Sequence, residues 1–165
     1  MREIVLPEAK PAFEWVNGRA LQKMSPKRWH ALAQTEFAAA LLRWARSRGA
    51  GMVGTEWRFH VMPEGEERRP LVPDVAFLSY ERMPYKEQER TEEPQISPDA
   101  VVEVRSPGDL RADIDEKIRV YLKSGTAVVF FADPKKRSVT VYDRDGKHSL
   151  GMATGSPIRH YPVLR

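Results

Sequence analysis

The stretch DAVVEVRSP, residues 99–107, constrains the fold more than any other part of the chain. Its β-branched run reads as a buried strand, whose side chains alternate between the two faces of a sheet. Yet a glutamate, Glu103, stands in its middle. A carboxylate there is costly unless something pairs with it, so the fold must bring it either a cation or a site. Arg105, two residues on, shares its face.

The surrounding chain supplies the elements to build that sheet. FEWVNGRALQKM has two extended segments, near 12–16 and 19–24, joined by Asn17-Gly18, the pair that best accepts the positive φ angles of a type I′ turn. In SPKRWHALAQTEFAAALLRWARSRGAG, Ser25 is placed as N-cap, Pro26 at the first helical position and Gly49 or Gly51 as the stop. Strands are expected near 52–61 and 72–79, either side of the polar loop PEGEERR, and the charged, Pro-interrupted residues 80–97 read as a surface excursion. Strand 99–105 follows, then a helix from Asp109 or Leu110 to Ser124, closed by Gly125. The runs TAVVFFAD, SVTVYD and KHSLGM close the series as strands. Hairpin, helix, strands, helix and strands in one continuous unit, residues 1–165, predict an α/β or α+β fold with a mixed sheet.

Charge set against the hydrophobic pattern marks the candidate site. On a wheel of about 100° per residue with Leu110 at zero, Lys117 falls near −20°, beside the stripe of Ile114, Ile118 and Tyr121. A lysine facing a sheet needs an acidic partner, or else it snorkels along the stripe to water. On the long helix, with Trp29 at zero, Glu36 falls at about −20° among Leu32, Ala33, Ala40 and Trp44, so it too is expected to face inwards. Asp74 follows Pro73 at the start of another apolar strand, where Pro-Asp alone is only a turn signal. Asp99 lies four residues before Glu103, about 13 Å along an extended chain, too far to share one ion with it. Asp74 escapes this objection, because it belongs to a strand that can pair beside Glu103.

Composition narrows the chemistry. With no cysteine there are no disulfides or thiolate metal sites, so a metal would be held by carboxylates, with histidine as a further donor, which favours a hard cation such as Mg²⁺ or Mn²⁺. The four histidines form no ligand spacing, and His30, in the first helical turn, reads as a packed or hydrogen-bonding group. A net charge of +4 leans towards a polyanionic partner. No apolar window reaches a membrane span, and MREIVLPEAK lacks a signal-peptide core, so a cytoplasmic protein is expected. DPKKR reads as a solvated hairpin tip, with contact to a phosphate backbone as the alternative, and the tryptophans mainly as core residues and not a stacking platform.

Taken in order, FEWVNGRALQKMSP, His30, PDVAF, PDAVVEVRSP, DIDEKIRVYLKSGT and FFADP resemble the successive blocks of the Uma-type restriction endonuclease family, a branch of the PD-(D/E)XK nuclease superfamily. The resemblance implies a restriction-endonuclease-like core with a mixed central sheet flanked by helices, and a metal-dependent endonuclease acting on nucleic acid, DNA first. By position, Asp74 and Glu103 are implied as metal-binding acids, with the Val104 carbonyl as a third oxygen ligand, and Lys117 as the catalytic lysine moved from strand to helix. Glu36 would be the acid of the N-terminal helix. Arg105 departs from the family, and either holds a phosphate oxygen or forms a salt bridge at the strand end. A homodimer fits nucleases that cut two strands with two subunits. Replacing any of Asp74, Glu103 or Lys117 is expected to stop cleavage and spare the fold, because an open cleft would solvate the partners left behind. Two other readings share the fold: a non-catalytic module binding nucleic acid or protein, and a hydrolase of small phosphoesters.

Overall fold

The computed structural model describes residues 2–151. Residue 1, residues 152–165 of the expected single domain, His160, and the Met152 end of the expected last strand lie outside the described residues.

The N-terminal hairpin forms as its turn dictates. Strands β1 (Phe13–Val16) and β2 (Arg19–Gln22) pair antiparallel around Asn17 and Gly18, whose φ angles of 49° and 72° are both positive. Helix α1 (Arg28–Arg48) ends at Gly49, left-handed with φ 57°. Its start differs from the Ser25 expectation. The first helical bond runs from the Ala31 N–H to the Lys27 carbonyl, so the Ser-Pro pair belongs to the connection and no side chain caps the helix.

The expected strand over 52–61 is two strands in two sheets. Strand β3 (Gly51–Thr55) joins the main sheet, while β4 (Phe59–Val61) pairs with β5 (Arg69–Leu71) in a separate ribbon. Strand β6 (Val75–Ser79) follows, then a single turn α2 (Tyr85–Gln88) within the surface excursion. The remaining elements are β7 (Ala100–Val104), α3 (Arg111–Lys123), β8 (Val128–Asp133), β9 (Ser138–Asp143) and β10 (Gly146–Gly151). The main sheet has the order β10-β9-β8-β7-β6-β3 and is mixed, with β7 and β8 parallel and its other pairs antiparallel.

Alternation along the central strands sorts their side chains between two cores. Val75, Phe77, Val102, Val104, Phe130 and Ala132 pack with Phe37, Leu41 and Ala45 of α1, while Ala76, Leu78, Val101, Val129 and Phe131 pack with Ile114, Ile118 and Tyr121 of α3. By the same alternation Glu103 points with Val101 towards α3. The hairpin is fastened there, since Asp113 of α3 accepts from Asn17 Nδ2 at 2.8 Å and from Arg19 Nη2 at 2.7 Å. Asp113, in the first turn of α3, is thus both buried and paired.

Among the described residues no helix is long and apolar enough to cross a membrane.

Candidate active site

Strand register brings the two implied acids together. Strands β6 and β7 pair Val75 with Val102 and Ala76 with Val101, so one step further along the register Asp74 stands opposite Glu103. The Val104 N–H donates to Asp74 Oδ2 at 2.6 Å, which fixes that carboxylate at the end of β7. Both acids are buried and line one pocket of about 230 Å³ with Glu14, Lys23, His30 and Lys117.

Lys117 does not snorkel. Its Nζ donates to Glu103 Oε2 at 2.6 Å and to Glu14 Oε2 at 2.9 Å. Glu14 lies on the same face of β1 as buried Val16 and accepts the Val72 N–H at 2.8 Å with its other oxygen. Tyr121, one turn beyond Lys117 on α3, donates to Glu103 Oε1 at 3.1 Å. Both oxygens of Glu103 are thus occupied.

Asp74 has its own cation. Lys23 Nζ donates to Asp74 Oδ1 and to the Val72 carbonyl, each at 2.7 Å, and approaches Glu56 Oε2 at 3.1 Å. His30 Nε2 lies 3.2 Å from Asp74 Oδ2, and Gln34 Nε2 donates to the Asp74 carbonyl at 2.8 Å. Three buried carboxylates, from Glu14, Asp74 and Glu103, therefore face two ammonium groups and one imidazole.

Protonation follows from that balance. Burial raises the Glu103 carboxyl, to about 7, and the charges of Asp74 and Glu14 push the same way against Lys117. For Lys117, burial opposes the charge but Glu103, Glu14 and Asp74 outweigh it, so the ammonium holds its protons well above the usual lysine range. Lys23 behaves alike, burial being outweighed chiefly by Asp74. The Asp74 carboxyl is lowered, since Lys23 and His30 overcome its burial. His30 is raised, its bond to Asp74 prevailing over desolvation.

The other sequence candidates lie elsewhere. Glu36 is exposed, which corrects the expectation that it faces the sheet. The wheel was centred on Trp29 and Leu32, which are 62% and 50% exposed, whereas the buried side carries His30, Phe37, Leu41 and Ala45. Arg105 takes the salt-bridge option, its Nη1 lying 2.9 Å from Asp133 Oδ2. Glu14 and Lys23 were missed. Glu14 had a signal, the alternation with Val16 in FEWV, but a four-residue strand is too short for alternation to stand out.

The donor set fits a hard divalent ion. Every candidate ligand is oxygen, and the Asp74 carboxylate, the Val72 carbonyl and Glu56 already surround one cation, the Lys23 ammonium. Among the described residues no three acid or histidine side chains close on one point. A metal held by Asp74 and Glu103 would then keep backbone carbonyl and water in its remaining positions, as Mg²⁺ commonly does.

The sheet, its flanking helices and the N-terminal hairpin define the class as a restriction-endonuclease-like fold. The chain belongs to the Uma2 family, described as "Putative restriction endonuclease", whose model matches residues 4–157. A solved structure with the same architecture is a "putative nuclease belonging to DUF820" from Anabaena variabilis, 26% identical, with a TM-score of 0.78 over 89% of this chain and 80% of that one. No curated protein matches.

Proposed function

We propose that the chain is a metal-dependent endonuclease that hydrolyses phosphodiester bonds of nucleic acid, DNA in the first instance, at the pocket holding Asp74, Glu103 and Lys117. The observation that carries this reading is the buried pairing of Lys117 with Glu103, directly across the strand register from Asp74. Family membership supports the reaction class.

Asp74 and Glu103, with the Val104 carbonyl, would hold Mg²⁺ or Mn²⁺, which when bound acidifies a water and offsets charge on the scissile phosphate. The chain's own groups do the rest. Lys117, which keeps its protons, supplies a fixed positive charge and a donor for a phosphate oxygen, and so stabilises the transition state without serving as a base. His30 and the Val104 N–H hold the Asp74 carboxylate in position. Lys23 has to release Asp74 before a metal takes its place. Cutting both strands of a duplex would take two such chains.

Plasmid nicking in Mg²⁺ or Mn²⁺ tests the proposal. Wild-type protein should nick, EDTA should stop it, and Asp74→Asn should be inactive. Binding without nicking would favour the non-catalytic module, and turnover of a chromogenic phosphodiester alone would favour a small-molecule hydrolase.

A further inference from the structure

Beside the catalytic pocket lies a second, larger depression of about 1030 Å³ that shares His30, Ser106 and Gly108 with it. Its walls come from three separate parts of the chain. Lys27 and Arg28 stand at the start of α1, Arg105 follows β7, and Lys135, Lys136 and Arg137 form the turn between β8 and β9. One acid lines it, Asp133, and its charge is already taken by Arg105 and by the Lys136 N–H. The trough is therefore strongly cationic, and it opens directly onto the pocket of Asp74 and Lys117.

An aromatic side chain sits in this cationic wall. Trp29 is 62% exposed, although the helix it opens buries Phe37 and Leu41. The Arg28 guanidinium lies 4.6 Å from the ring centroid, which supports the indole and leaves most of it open to solvent. A phosphate track with an exposed indole is the arrangement that binds unpaired strands, because the cations follow the backbone and the ring stacks a base whatever its identity. A base paired within a duplex offers no free face for such stacking.

We infer that this trough is the track for a single-stranded segment of nucleic acid, with one unpaired base stacked on Trp29 and its backbone led past Ser106 towards Asp74. The inference rests on the proposed nuclease function and refines it to unpaired strands or the unpaired ends and flaps of duplexes. DNA and RNA share the chemistry that the trough reads, namely phosphate and a base face.

The test uses the full chain carrying Asp74→Asn, which prevents turnover, and measures anisotropy of labelled oligonucleotides: single-stranded deoxy, single-stranded ribo, and a duplex of equal length. Tighter binding of either single strand than of the duplex supports the inference, and the tighter of the two names the sugar. Adding Trp29→Ala should weaken single-strand binding by about tenfold and spare the duplex, with Trp29→Phe restoring most of the loss. Combined Lys135→Glu, Lys136→Glu and Arg137→Glu should weaken every nucleic acid and flatten the salt dependence. Preference for duplex, or single-strand binding indifferent to Trp29→Ala, overturns the inference. Nicking by wild-type protein with indifference to Trp29 would sink the track alone. Trp29-dependent binding with no cleavage under any metal would sink the nuclease reading alone.

Discussion

Replacing Lys117 by methionine removes one ammonium and almost no volume, and leaves Glu14 and Glu103 buried around an apolar tip. The partners are only 2.6 and 2.9 Å from the missing nitrogen, and neither can turn to water without breaking its other bond, to the Tyr121 hydroxyl or to the Val72 N–H. Removing one member of a buried ion pair costs about 3–5 kcal/mol, because each carboxyl left behind must either stay charged and desolvated or take up a proton. For a chain of this size that corresponds to a fall in Tm of roughly 6–20 °C. The open cleft expected to solvate the partners left behind is not what surrounds Lys117, since Glu14 and Glu103 are buried. Urea unfolding in EDTA measures the cost, and a graded series guards against misreading it. Lys117→Met should be least stable, adding Glu103→Gln should recover part of the loss, and adding Glu14→Gln should recover most of it. Divalent ion should stabilise Lys117→Met more than wild type, because it restores the missing positive charge. Wild-type stability of Lys117→Met would refute the reasoning.

Three further outcomes follow from the same geometry. Lys23→Met removes the cation that competes for Asp74 and should tighten Mn²⁺ binding in calorimetry by about tenfold or more, each tenfold being about 1.4 kcal/mol; weaker binding would show that Lys23 does not stand in the metal's place. Glu36→Ala, at an exposed position, should change stability by less than about 0.5 kcal/mol and leave nicking intact. Glu103 is raised in the folded protein, so its contribution to stability is complete below the ordinary carboxylate range and is lost as pH rises through about 7. In EDTA, the stability of wild type relative to Glu103→Gln should fall between pH 5 and 8, and a flat difference would contradict the raised pKa.

The legible parts of the chain were those written in local pattern. Asn17-Gly18 announced the hairpin, and the period of α3 turned Lys117 towards the sheet because Ile114, Ile118 and Tyr121 are all buried around it. On α1 the apolar period is offset from the buried face by about one residue, because Trp29 is apolar but its neighbours are a cationic trough and not a core. That offset placed Glu36 inside and undervalued His30, seven residues earlier on the face of Phe37. Partners set by tertiary packing left no local trace. Glu14 reaches Lys117 across 103 positions, and Lys23 reaches Asp74 across 51. Strands β4 and β5 are three residues each, too short for alternation to separate them from the loop around them.

The central claim is that Asp74 and Glu103 form one cation site at which nucleic acid is cut. Anomalous scattering from crystals of the protein soaked in Mn²⁺ tests it most directly. A single strong peak is expected, bonded to a carboxylate oxygen of each of Asp74 and Glu103, with Lys23 withdrawn from Asp74 and the peak absent in Asp74→Asn. A peak elsewhere, or both lysines still seated on their carboxylates in protein that nicks DNA with Mn²⁺, would contradict it.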